Sequence, residues 1–441
     1  MRLLRRECGF AVTPEQAYSA LFGSTTNSVW LDSGEGATSG MSFVGSASRT
    51  LTSGVFDELR RMPEVPDCAP LGWIGWLGYE LRGETMGVAV DRASRYPDAG
   101  MLWVDRGLLF DHATGAITFV ALGDAWTPTL SAWHARSLRT LRSLGTPVEP
   151  AKPAAVDVNW LYTDEQYLGM IRDCQAAIVE GEAYQLCLTT EASVNVHPDA
   201  LATYLALRRS SASHHGALLR VGDVAVLSAS PETFLHIDPR GVIESKPIKG
   251  TGPRGENASH DAVMRVQLLG SEKERAENLM IVDLVRNDLA RVCEVGTVSV
   301  PKLLAVETYP HVHQLVSTVR GQLAAGLSPI DAVVSCFPAG SMTGAPKQRA
   351  TELLDALEGR ARGIYAGAFG YFAADGSVDL AMVIRSIVLD PAGATIGAGG
   401  GITALSVPDE ELAEVRLKAA ALLAVLTSAP PDVGNSGNKA R

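Results

Sequence analysis

The run Gly72-Trp73-Ile74-Gly75-Trp76-Leu77-Gly78-Tyr79-Glu80 alternates small and large residues. Glycine inside a strand has no side chain to pack, so it marks close approach by another backbone or layer. A chain carrying this run is expected to set strands tightly against a second layer. From Thr163 onward the pattern becomes an alternation of helix and strand. Residues 164–180 read as a helix and 183–196 as a long strand. Leu279, Val282, Val285 and Leu289 recur at helical spacing within a helix expected over 271–292. Pro408 opens a last long helix ending near Ser428, since proline is tolerated in a first turn. The class expected is mixed α/β (α+β).

Residues 1–145 read as strands and turns with two helical stretches. Residues 146–162, which include Pro147, Pro150 and Pro153, read as a linker, and 163–428 as the main body. The polar tail 429–441 is expected to be disordered. No internal repeat is visible.

The 441 residues carry 38 basic and 49 acidic side chains, a net charge of −11 with no basic block, which argues against a nucleic-acid partner. An anionic substrate would have to be held by a local positive field. Cys8, Cys68, Cys174, Cys187, Cys293 and Cys336 are scattered without a C-x-x-C pair, which suits reduced thiols in a cytoplasmic protein. No apolar run follows the basic start, so a secretory leader is not expected. No run is long and apolar enough to span a membrane.

Candidate chemistry starts at Lys249, in Lys246-Pro247-Ile248-Lys249-Gly250-Thr251-Gly252-Pro253-Arg254-Gly255. Pro247 restricts the backbone on one side, and Gly250 lets a ligand approach the main chain on the other. A lysine so placed is an amine nucleophile if desolvation or nearby cations lower its pKa, and otherwise a solvated strand-end lysine. Glu274 and Glu277 share one face of a helix start, as do Glu411 and Glu414. Opposed across a cleft, the two pairs would make an all-oxygen site for a hard cation such as Mg²⁺. Each pair alone also reads as ordinary helix-start acidity, and Ser271-x-x-Glu274 as a capping box. Gly397-Ala398-Gly399-Gly400-Gly401-Ile402 does not complete a dinucleotide fingerprint, and it reads as a tight turn between strand and helix. Gly340 to Lys347 lacks P-loop spacing.

Three longer strings occur in order: Pro247-Ile248-Lys249-Gly250-Thr251; then Arg275 to Asp288; then Phe337-Pro338-Ala339-Gly340-Ser341-Met342-Thr343-Gly344-Ala345-Pro346-Lys347. Together they resemble the chorismate-utilising family, which includes anthranilate synthase component I, isochorismate synthase and aminodeoxychorismate synthase component I. The resemblance is strong from Thr163 to the helix after Glu414 and weaker before it. It implies two interlaced, roughly orthogonal antiparallel sheets with helices outside and a site in the cleft, an architecture that composition and periodicity do not show. It also implies Mg²⁺ on Glu277 and Glu414 with Glu274 and Glu411 in support. Tyr365 and Arg385 would hold the enolpyruvyl end of chorismate, although Tyr365 alone reads as a packed core tyrosine. Gly250, Thr251 and Gly399-Gly400-Gly401 would approach the ligand through their backbone. Glu232, in Ser230-Pro231-Glu232, would be the acid/base for the C4 hydroxyl, where bare sequence gives only a strand-end glutamate.

Three positions bear on the branch of the family. Lys249 stands where anthranilate and salicylate synthases have alanine. Gln185 stands where isochorismate synthases carry a water-activating lysine. Gln314 stands where anthranilate synthases carry the histidine of pyruvate elimination, and His313 is expected on the other face of the strand. The resemblance therefore implies amination of chorismate at C4 through a covalent Lys249 intermediate, on the route to p-aminobenzoate and folate. Anthranilate formation is the alternative, and a non-catalytic regulatory homologue is the alternative from another class. Ammonia would come from a glutamine amidotransferase subunit, because no cysteine has a glutaminase setting. Val29-Trp30-Leu31-Asp32-Ser33 resembles an effector-binding element, but residues 210–217 lack its usual complement, so no amino-acid effector is expected.

Overall fold

The computed structural model describes residues 1–211, 213–309 and 312–428, and the tail expected to be disordered lies outside them. Two antiparallel sheets, of twelve and ten strands, carry the fold, and helices lie around them. The helix expected after Thr163 is Asp164–Val179, capped by the Thr163 side chain in a capping box with Gln166. The strand after it is Gln185–Val194. Glu272–Ala290 follows a Ser271 cap, and Pro408–Leu426 begins at its proline.

Strand alternation sorts side chains between two apolar layers. Val29, Leu219 and Val226 join Trp76 and Phe372 in one cluster between the sheets. Their neighbours Trp30, Leu218 and Leu227 join Tyr18, Tyr167 and Tyr204 under the outer helices. The glycine run is the strand Gly72–Leu77, between Ala99–Val104 and Ala368–Ala373. A Cβ on Gly75 would lie 1.9 Å from the Gly100 carbonyl oxygen on the adjacent strand of the same sheet, so this glycine makes room for a neighbouring strand rather than for a second layer.

The first 145 residues supply strands to both sheets. Asn27–Asp32 pairs with His215–Val221, and Gly72–Leu77 with Ala368–Ala373. The stretch 146–162 is fastened to the body. Ala151 N–H donates to the Ala202 carbonyl at 2.8 Å, and Ala154 N–H to that of Leu426 at 2.9 Å. Val158–Trp160 pairs with Gln185–Val194.

The chain crosses between sheets at two places that matter for function. Val224–Ser230 belongs to the first sheet and Thr233–Ile237 to the second, with Pro231 and Glu232 between. Val378–Met382 belongs to the second and Ser386–Asp390 to the first, with Arg385 between. The crossings are tied together: Met382 N–H donates to the Glu232 carbonyl at 3.0 Å, and Ala229 N–H to that of Arg385 at 3.1 Å.

Candidate active site

Both crossings open onto a cavity of about 360 Å³. The catalytic, substrate and metal candidates from sequence all line it, namely Glu232, Lys249, Gly250, Thr251, Glu274, Glu277, Gln314, Tyr365, Arg385, Gly399, Gly400, Gly401, Glu411 and Glu414, whereas Gln185 does not. Lys249, Gly250 and Thr251 lie on the strand Ile248–Pro253, where Gly250 takes φ +98°. A Cβ on Gly250 would come within 3.1 Å of the Glu274 carboxylate, so glycine here admits the acid to the strand. Arg385 holds φ +50°, a left-handed conformation that costs a non-glycine residue energy. Its guanidinium forms no ion pair among the described residues, which leaves it available to an anion.

Gly399–Gly401 is not a turn. The three glycines lie inside the strand Gly393–Ile402, paired with Gln185–Val194. Their role is clearance rather than chain reversal. A Cβ on Gly401 would meet the Gln185 amide at 2.2 Å, and one on Gly397 the Tyr365 ring at 2.1 Å. Tyr365 is buried over that bare strand and still lines the cavity.

Gln314 and His313 point to opposite sides of their strand. Gln314 reaches the cavity, whereas fully buried His313 bonds the Asp261 carboxylate at 2.9 Å and the Thr308 hydroxyl at 3.0 Å. Asp261 also accepts from Arg254 Nε at 2.7 Å and from Gly255 N–H at 2.8 Å. The histidine next to the substrate strand thus pins the segment that follows Lys249.

Charge in the cavity is crowded. Burial pushes the Glu277 carboxyl up to about 7, against the opposing pull of Lys249. Burial likewise raises Glu232, with Lys249 and a hydrogen bond from Ser341 acting the other way, which favours an acid able to deliver a proton. Glu274 is raised by burial and by Glu414. Burial would raise Glu414 too, but Lys418 at 2.7 Å holds it below the usual range. For Lys249, burial works against the charge, yet Cys187, Glu277, Glu232 and Glu414 together keep its pKa above the ordinary lysine value. Burial also raises the Cys187 thiol, so Cys187 is neutral near pH 7 and the carboxylates carry that effect. With the carboxylates bare, Lys249 is an ammonium and not a nucleophile.

Sequence reasoning passed over two cations. Lys273 Nζ lies 3.0 Å from Glu411 Oε1, which also accepts from the Ser406 hydroxyl at 2.8 Å. Lys418 bonds Glu414 and donates to the Gly399 carbonyl at 2.9 Å. Lys418 stands four residues after Glu414, a helical ion-pair spacing that was there to be read. Ser341 and Cys187 were also missed as lining residues, and nothing local marks them. The four paired acids do not form a ready-made metal cluster, and none of three or more ligating side chains exists among the described residues. As a donor set they still suit a hard dication. All are oxygen ligands in one cavity, Glu274 and Glu277 have no ion-pair partner among the described residues, and crowding already strains their charge.

A two-sheet α/β fold that gathers a half-buried lysine, a buried acid and paired carboxylates in one cleft defines an enzyme. The chain belongs to the chorismate binding enzyme family, whose model matches residues 26–424. It is 47% identical over 376 residues to the aminodeoxychorismate synthase of Streptomyces griseus, covering 84% of this chain and 52% of that one. It is 45% identical to that of Streptomyces pristinaespiralis, covering 81% and 51%. The chain thus spans about half the length of these relatives. Anthranilate synthase component 1 of Thermus thermophilus is 38% identical, with 85% of this chain and 81% of that one covered. The crystal structure of anthranilate synthase component I from Streptococcus pneumoniae superposes with a TM-score of 0.78 at 27% identity, over 95% of this chain and 99% of that one.

Proposed function

We propose that this chain aminates chorismate at C4, giving 4-amino-4-deoxychorismate for p-aminobenzoate and folate synthesis. One observation carries the reading: Lys249 and Glu232 line one cavity together with Arg385 and the two acidic pairs. Five carboxyl groups and four cationic side chains line it, the cations being Lys249, Lys273, Arg385 and Lys418. With Glu232 protonated, acids and bases balance. A dianionic substrate then needs a dication for neutrality, which is the physical case for Mg²⁺ on Glu277 and Glu414, with Glu274 and Glu411 behind them. Bound there, Mg²⁺ would supply fixed positive charge for one substrate carboxylate.

The remaining work falls to the chain's own groups. Arg385 grips the other carboxylate, and Tyr365 packs beside it. Once the acids are neutralised, the Lys249 amine is free to lose its proton and add to C2. The ring double bond shifts and C4 loses its hydroxyl, which takes the Glu232 proton and leaves as water. Ammonia then attacks C4, the C2–N bond breaks, and Lys249 departs as an amine. Glu232 takes a proton from the new ammonium and is reset. Gln314, in place of an imidazole, offers no base for pyruvate elimination, so the product keeps its enolpyruvyl group. Ammonia is supplied by a glutamine amidotransferase partner. Six buried free thiols suit a reducing, cytoplasmic setting, and no helix among the described residues is long and apolar enough to cross a membrane.

The test is the mass of the product formed from chorismate, ammonium and Mg²⁺. A 4-amino-4-deoxychorismate product is expected; anthranilate as the main product would refute the assignment.

A further inference from the structure

Behind the catalytic acid lies a second, much smaller chamber. Its volume is about 20 Å³, and Glu232 and Ser341 line both it and the substrate cavity. Its other walls include Ser245, Ala339, Met382 and Asp288. Asp288 is engaged by Lys347 at 2.6 Å, so its carboxylate is held as a fixed polar wall. A space of about 10–15 Å³ on this measure admits one water, provided polar partners are at hand. The Glu232 carboxyl and the Ser341 hydroxyl, both on its wall, supply them.

We propose that this chamber receives the water formed when the C4 hydroxyl departs. The inference rests on the C4 amination proposed above. In that reaction the C4–O bond breaks, oxygen takes the Glu232 proton, and one water forms while the ring is still bonded to Lys249. Water remaining at C4 occupies the place ammonia must take, and it re-adds by reversal of the same step. A one-water chamber on the far side of the proton donor clears C4 without opening the site. Chorismate and ammonia give 4-amino-4-deoxychorismate and water, so one water per turnover is what the chamber must accept.

Ala339→Val and Ser245→Val each add bulk to the chamber, and neither residue lines the substrate cavity. Both variants are expected to form the Lys249 adduct from chorismate without ammonia, and to turn over with ammonium, at least about tenfold more slowly, with chorismate Kd within about twofold. A crystal structure of the wild type given chorismate without ammonia, and so holding the Lys249 adduct, is expected to show one ordered water at Glu232 or Ser341 in the chamber. A dry chamber, or filled variants with kcat within about twofold of wild type, overturns the inference. If neither variant folds, the structure of the wild-type adduct decides alone. Failure of the wild type to make 4-amino-4-deoxychorismate at all faults the reaction assigned to the large cavity, and is distinguishable from an unaltered kcat in the filled variants.

Discussion

Arg362 and Glu358 form a two-pronged ion pair in the interior, with Nε to Oε2 at 2.9 Å and a terminal nitrogen to Oε1 at 2.7 Å, and neither side chain is more than 2% exposed. The same guanidinium donates to the carbonyls of Met342 at 2.6 Å and Cys187 at 2.9 Å, residues that line the substrate cavity. Glu358 in turn accepts from Thr189 N–H at 2.9 Å. One buried pair therefore fixes two cavity walls, on Gln185–Val194 and on the turn that carries Ser341.

Removing one partner of such a pair strands the other. Arg362→Met is expected to cost roughly 3–5 kcal/mol of stability. Denaturant unfolding checks this. Adding Glu358→Gln should recover part of the loss, and a single variant within 1 kcal/mol of wild type would show the pair to be dispensable.

Lys249→Ala is expected to abolish the covalent adduct seen by intact mass in the absence of ammonia, and to cut 4-amino-4-deoxychorismate formation by at least about a hundredfold. Residual turnover should drift to direct attack at C2, giving 2-amino-2-deoxyisochorismate. An alanine variant at the wild-type rate would leave Lys249 as a positioning group only.

In the Lys249→Ala background, Gln314→His restores an imidazole at the cavity wall. Part of the C2-amino product should then appear as anthranilate, read by its fluorescence. No anthranilate from the double variant would mean that the identity of residue 314 does not control elimination.

Glu277→Gln and Glu414→Gln should each remove Mg²⁺-dependent turnover while the protein stays folded. The metal should also show a pH signature. Glu277 in the folded protein titrates near 7, above the ordinary 4.5. Its contribution to stability is therefore full below pH ~4.5 and is lost as pH rises through about 7. Mg²⁺ competes with that proton, so its affinity should improve by up to about tenfold per pH unit below 7 and level off above. The Mg²⁺-induced rise in Tm should be larger at pH 8 than at pH 6, and a rise independent of pH would take Glu277 out of the ligand set.

The isolated chain should use ammonium and not glutamine, with glutamine use appearing when a glutamine amidotransferase is added. Glutamine-dependent turnover by the pure chain would contradict the need for a partner.

Much of the local structure was determined by sequence alone, because its causes are local. Thr163 and Ser271 cap the helices they precede, Pro408 opens the last one, and Gly75 clears the way for a neighbouring backbone. The acids at Glu274, Glu277, Glu411 and Glu414 and the lysine at 249 were visible as motifs. Side-chain alternation told His313 from Gln314. What the tertiary structure decided was where these pieces meet. The strand around Gly399–Gly401 read as a turn because glycine serves both chain reversal and close approach, and only its pairing with Gln185–Val194 separates the two. Arg385 and Glu232 look like unremarkable strand-end charges until the sheet crossings place them in one cleft. Arg362 meets the Cys187 carbonyl 175 residues away, a contact that no local pattern encodes. The charge state of Lys249 is likewise not its own property. It follows from burial and from carboxylates that distant parts of the chain deliver to one low-dielectric space.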